Sequence, residues 1–178
     1  MFISHSLLYC FLHKKVIRWH YADKTDSKAR IKRVFLYLMD LYNDLKDQLI
    51  RHEGLKLMPY RCSSNKLTIG CGRNLEDNGI SEEEAMMLLD ADIKNCEAEL
   101  DRVMPWWKEQ PSAVQQVLLN MLFNLGAPTL MQFRKFQTFL QTKEYKHAAE
   151  EMLDSKWAEQ VGSRAIELSE MVRNADDS

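Results

Sequence analysis

Apolar and polar positions recur at helical spacing over most of this chain. Leu41, Leu45 and Leu49, with Ile50, fall on one face while Asp40, Asp44 and Asp47 fall on others, which predicts an amphipathic helix over residues 40–52. Gly54 stands where a helix-ending glycine is expected, and Pro59 stops any continuation. Between residues 60 and 80 the pattern changes: Lys66-Leu-Thr-Ile-Gly70 is flanked by Ser63-Ser64-Asn65 and Asp77-Asn78-Gly79, both turn chemistry. This predicts a small antiparallel sheet of two or three short strands. Ser81-Glu-Glu-Glu84 reads as a capping box opening a long helix, with Met86, Leu89, Ile93, Cys96, Leu100 and Val103 as one stripe, up to Met104 and Pro105. A second box, Ser112-Ala-Val-Gln115, opens an apolar helix ended by Gly126 and Pro128, and shorter helices are expected around 129–141, 144–154 and 160–173.

The predicted fold is α+β and mostly helical: a small sheet lobe (about 54–80), a connecting helix (about 81–104) and a helical lobe (about 105–174), with a cleft expected between the lobes. Ahead of this domain, residues 1–38 carry eight Lys/Arg and two Asp/Glu, net +6, whereas the remainder carries sixteen and twenty-four, net −8. That asymmetry sets residues 1–38 apart as a basic N-terminal extension, disordered or non-native, before a catalytic domain over 39–178 with Met39 as its start. An arm active on membranes or nucleic acid is the other reading, since Lys14, Lys15, Arg18, Lys28, Arg30, Lys32 and Arg33 are interleaved with Trp19 and Tyr21.

Composition narrows the function. A formal net charge of −2 does not suit a nucleic-acid binder as a whole. Cys10, Cys62, Cys71 and Cys96 form no C-x-x-C, and no histidine stands at ligand spacing, so neither a zinc framework nor a disulfide scaffold is indicated. The longest uncharged run near the start, Met1–His13, is too short to span a membrane and is not preceded by basic residues as a secretory signal would be.

The candidate chemistry lies early. Glu53 ends the first predicted helix, Cys62 follows nine residues later at the entrance to the sheet, and Thr68 six residues after that. An acid from a helix end would then face a thiol and a hydroxyl from the sheet. Glycosidic cleavage needs such a pairing, because the leaving oxygen is protonated while the anomeric carbon is attacked. The acid in such a reaction carries a proton near neutral pH, which a partly apolar cleft favours.

At these residues the chain resembles the phage T4-type lysozymes, or phage muramidases, whose signature is Glu-x8-Asp/Cys-x5-Thr. Here it reads Arg51-His-Glu-Gly-Leu55, Pro59-Tyr-Arg-Cys62 and Leu67-Thr-Ile-Gly-Cys-Gly-Arg73, followed by Asn120-Met-Leu-Phe-Asn-Leu-Gly126, Phe133, Trp157 and Ser163-Arg164-Ala165. The resemblance covers about residues 40–174 and implies a lysozyme-like fold. It implies an endolysin that hydrolyses the β-1,4 bond between N-acetylmuramic acid and N-acetylglucosamine, with Glu53 as general acid and Thr68 holding the attacking water. Cys62 takes the position more often held by Asp, acting as a thiolate base, a polarised thiol or a covalent nucleophile. Arg164 is implied as the partner that orients Glu53, against an exposed helix charge. Phe123 and Asn124 are implied as cleft wall and sugar contact, against ordinary helix C-terminal capping for Asn124.

Arg73 stands where several relatives carry histidine, so the ion pair that histidine makes is not implied here. Cys71 and Cys96 are expected to be packing residues, and Trp106-Trp107 to pack near the lobe junction or stack on sugar. No metal or cofactor is implied. The expected partner is the peptidoglycan glycan strand, acted on by a monomer with no nucleic acid and no stable membrane insertion. The implied location is the host bacterial cytoplasm until a holin releases the enzyme to the periplasm. The rival functions are a lytic transglycosylase, a non-catalytic peptidoglycan-binding module, and a membrane-disrupting protein.

Overall fold

The computed structural model describes residues 27–175, which divide into two compact units meeting between Gly79 and Ile80. The first opens with α1 (Ser27–Glu53), a helix of 27 residues and therefore about 40 Å long. It begins thirteen residues before the predicted residue 40, and the division expected between residues 38 and 39 falls inside it. Ile31, Val34, Phe35 and Leu38 extend the same helical spacing upstream without glycine or proline, so the basic residues change the charge of the helix and do not end it. The upstream residues Cys10, Lys14, Lys15, Arg18, Trp19 and Tyr21 lie outside the described part. Leu41, Leu45, Leu49 and Ile50, predicted as the packed face, are between 36% and 46% exposed.

Gly54 ends α1: with φ +77° it turns the chain out of the helix while its N–H donates to Ile50 O at 2.9 Å. Strands β1 (Lys56–Arg61), β2 (Leu67–Gly70) and β3 (Arg73–Asn74) follow as an antiparallel sheet in the order β1-β2-β3. Tyr60 pairs with Thr68 and Arg61 with Leu67, but the register slips between Lys56 and Tyr60. Pro59 sits in that slip, on an edge strand, where a residue with no N–H costs no ladder bond. Leu75–Asn78, which overlaps the predicted turn Asp77-Asn78-Gly79, is a one-turn helix, α2, because the Asn74 side chain accepts from Asp77 N and caps it. Thr68 on the central strand is the one buried residue among the described residues of this unit. Hydrogen bonds and ion pairs, in place of an apolar core, therefore fix its internal geometry.

The second unit opens with α3 (Glu82–Val103), where the predicted capping box forms in full: Ser81 N donates to Glu84 Oε2 at 2.7 Å and Glu84 N to Ser81 Oγ at 3.2 Å. Only the end of its apolar stripe reaches the core: Leu100 is fully buried and Cys96 and Val103 partly, while Met86, Leu89 and Ile93 stay exposed. A short 3-10 helix (Pro105–Glu109) then leads to α4 (Ser112–Leu125). The second predicted capping box does not form. Pro111 holds the cap position without a side-chain bond, and Gln115 instead donates to Gln110 O at 2.8 Å and Lys108 O at 3.1 Å, closing the preceding loop.

Val114, Val117, Leu118, Met121 and Leu122 on α4 are buried at helical spacing and form the axis of the core. Around it fold α5 (Ala127–Leu130), α6 (Arg134–Gln141), α7 (Tyr145–Leu153), α8 (Lys156–Val161) and α9 (Ser163–Arg173). They contribute Leu130, Phe136, Leu140, Met152, Trp157 and Val172. Trp107 belongs to this same core at 3% exposure, with its indole Nε1 donating to Asp101 Oδ1 at 2.8 Å. A sheet-bearing unit followed by a helical one agrees with the α+β, lysozyme-like architecture.

Candidate active site

The sheet unit gathers three of the six predicted site residues. Glu53 is the last residue of α1 and is exposed. Its Oε2 lies 3.9 Å from the point where a Cβ on Gly72 would stand, so the acid rests against the backbone of the β2–β3 turn. Gly72 has φ +87°, a conformation open to glycine and strained for other residues.

Cys62 begins the β1–β2 loop. Its N–H donates to Lys66 O at 3.0 Å and its carbonyl accepts from Asn65 N at 2.9 Å, with Asn65 in the left-handed region that asparagine tolerates. Hydrogen bonds from the backbone of Lys66, then of Ser64, then from the Thr68 hydroxyl hold the Cys62 thiol below its usual range. Thr68 owns one hydroxyl proton, which in the structure goes to Lys66 O at 3.0 Å. Donation to the sulfur would cost the hydroxyl that bond.

Charged groups surround this loop: Arg61 and Lys66 from the hairpin, Glu76 and Asp77 from α2. Lys66 Nζ pairs with Asp77 Oδ1 at 2.8 Å, which with smaller contributions from Glu76 and Cys62 raises the Lys66 pKa and, from the other side, lowers that of Asp77. Sequence reasoning missed this bracing set. Its one visible signal in the sequence is Asn74-Leu-Glu-Asp77, an asparagine cap with an acid at the third helical position.

Phe123, Asn124 and Arg164 belong to the helical unit. Phe123 is 49% exposed near the end of α4. Asn124 Oδ1 accepts from Trp157 Nε1 at 2.9 Å, so part of this side chain is committed to holding a buried indole, which itself meets Phe133 edge-on with centroids 6.3 Å apart. Arg164 is half-buried at the second position of α9. Cys71, expected to be a packing residue, is exposed because the two-glycine turn Gly70–Gly72 carries it out of the sheet. Cys96 does pack, and burial raises its thiol pKa. Among the described residues, no group of three or more His, Cys, Asp or Glu has metal-holding geometry, and no helix is long and apolar enough to cross a membrane.

Sequence comparisons place this fold in a family. The Phage lysozyme pattern matches residues 50–175, from the last turn of α1 to just beyond α9, and the chain belongs to that family. It is thereby a lytic enzyme of the glycoside-hydrolase kind. It is similar to a Dictyostelium discoideum protein named "Probable T4-type lysozyme 2", with 24% identity over 155 residues covering 70% of this chain and 91% of the relative. It is also similar to the SAR-endolysin of Escherichia phage Mu, with 28% identity over 144 residues covering 74% of this chain and 81% of the relative.

Proposed function

We propose that this chain is an endolysin that hydrolyses the β-1,4 bond between N-acetylmuramic acid and N-acetylglucosamine in peptidoglycan. Glu53 protonates the leaving sugar oxygen, and Cys62 with Thr68 serves the attacking side. The observation that carries this reading is the β1–β2 hairpin itself. It closes a tight loop with Cys62 before it and Thr68 after it, where hydrogen bonding favours the ionised thiol, in the same small unit as an acid seated on the neighbouring turn. A thiol held in favour of its ionised form suits a base or nucleophile. A hydroxyl that both donates and accepts suits the holding of water.

In the helical unit, Phe123 offers an exposed ring, and Asn124 retains amide donors for a sugar once its oxygen is engaged by Trp157. The family resemblance assigns Arg164 to orienting the acid. The domain that does this work includes the whole of α1, so the basic residues ahead of Ser27 are the part dispensable for cleavage. It acts as a monomer without metal or cofactor, on peptidoglycan in the periplasm after holin-mediated release from the host cytoplasm. The SAR-endolysin among its relatives supports the periplasmic part of that setting.

Mass spectrometry of the fragments released from purified Gram-negative peptidoglycan tests the reaction. Reducing muramic-acid ends are the expected product. Anhydro-muramic ends would instead make the chain a lytic transglycosylase, with no attacking water for Thr68 to hold. No fragments at all would leave a binding or membrane-disrupting protein.

A further inference from the structure

The sheet unit has almost no buried apolar core, yet its catalytic loop is tied at both ends to a helix of a single turn. Glu76 Oε1 on α2 accepts from Arg61 Nη1 at 2.6 Å, immediately before Cys62, and from the Leu67 amide at 3.0 Å, immediately after the loop. The same Arg61 Nη1 donates to Asn65 O at 2.8 Å inside the loop. One carboxylate oxygen therefore joins both rims of the 61–67 hairpin. As a surface ion pair, with side chains 59% and 37% exposed, Arg61–Glu76 would add little stability. As a three-way joint to backbone, it fixes where the Ser64 and Lys66 amides point.

We propose that Glu76 is a positioning residue: by clamping Arg61 and the Leu67 amide it holds the 61–67 loop closed, so that the loop backbone keeps its place around Cys62. The catalytic consequence rests on the assignment of Cys62 to the attacking side; the clamp itself does not. The sign of its effect is distinctive. The charged groups that brace the loop are Arg61 and Lys66 from the hairpin and Glu76 and Asp77 from α2. A carboxylate nearby repels a thiolate, so simple loss of the Glu76 charge would make Cys62 ionise more easily. Loss of the clamp lets the amides drift away and makes it ionise less easily. The two accounts predict opposite shifts.

Trypsin cuts after Arg61 and Lys66, so the peptide 62–66 carries Cys62 as its one cysteine. The full chain is pulsed with iodoacetamide across a pH series, quenched, digested, and the labelled fraction of that peptide gives the thiol midpoint. In Glu76→Ala the midpoint rises by about half a unit or more, so the alkylation rate near neutral pH falls about threefold. Arg61→Lys, which keeps the charge and the cleavage site but ends one bond short of the Nη1 that joins Asn65 O to Glu76 Oε1, shifts it the same way by less. Glu76→Gln, which keeps an acceptor for Leu67, lies between wild type and alanine.

Lys135→Met, which breaks the pair with Glu151 in the helical unit, leaves the midpoint where it was. The rise is scored in protein whose β1–β2 amides keep their exchange protection. Should Glu76→Ala lose that protection, Arg61→Lys decides. An unchanged or lowered midpoint in the clamp variants overturns the proposal. A raised midpoint with undiminished peptidoglycan cleavage leaves the clamp standing and removes Cys62 from the reaction.

Discussion

Replacing Thr68 with valine should separate the stability of the sheet unit from its chemistry. The Thr68 side chain is 3% exposed, and its hydroxyl donates to Lys66 O at 3.0 Å. Valine keeps the branched shape but loses that bond, which costs about 1 kcal/mol. The Lys66 carbonyl still receives the Cys62 amide at 3.0 Å, so no acceptor is orphaned. The methyl that replaces the hydroxyl in a buried site contributes about 0.8 kcal/mol in return. The two terms nearly cancel, and Thr68→Val should unfold in urea within about 1 kcal/mol of wild type.

Its kcat/KM on peptidoglycan should nonetheless fall at least about tenfold, about 1.4 kcal/mol of transition-state stabilisation, because the group proposed to hold water is gone. Thr68→Ser should show the reverse. It keeps the hydroxyl and most of the activity but leaves a methyl-sized gap costing about 1 kcal/mol. Turbidity clearance of cell walls and urea denaturation followed by circular dichroism read the two quantities. If Thr68→Val cleaves as fast as wild type, or if serine is the more impaired of the two in rate, the reasoning fails.

Three other outcomes follow from the geometry. Gly72→Ala forces φ +87° on a residue with a Cβ, so it should cost about 1–2 kcal/mol in stability and lower activity by moving the turn that seats Glu53; unchanged values in both would contradict this. Trp157→Phe keeps the edge-on contact with Phe133 but loses the bond to Asn124, and denaturation should show a loss of about 1–2 kcal/mol. Cys62 ionises at lower pH in the folded chain than in the unfolded one, so its contribution to stability is complete above the unfolded value and is lost as pH falls through the folded one. The stability difference between wild type and Cys62→Ser should therefore widen as pH rises toward the ordinary thiol value, and a difference flat with pH would show that the thiol is not held as described.

The elements legible in the sequence were those fixed by local rules. The Ser81–Glu84 box, the Gly54 and Gly126 helix ends and the short strand around Thr68 each rest on chemistry within a few residues. What stayed hidden depended on partners farther along the chain. The start of α1 at Ser27 was masked because basic residues drew attention from a continuous apolar spacing. Ser112 looks like a cap, but Pro111 already holds that position and Gln115 is drawn to the preceding loop. Glu76 could not be assigned a role from the sequence, since its partners Arg61 and Leu67 come to it only when the hairpin closes. Cys62 and Thr68 were paired in the sequence by the spacing of the family signature, and the structure adds that they stand on either side of one tight loop. The amides that lower the thiol pKa belong to the backbone and leave no trace in residue identity.

The central claim, that Glu53 gives the proton to the leaving sugar, is tested most directly by the turnover of Glu53→Gln on purified peptidoglycan. The change is nearly isosteric at an exposed helix end, so the fold should hold. The account predicts a loss of about a hundredfold to ten-thousandfold in kcat with little change in unfolding, the range expected for a missing general acid. Cleavage within a few-fold of wild type by a correctly folded Glu53→Gln would contradict it and move the proton donor to another residue.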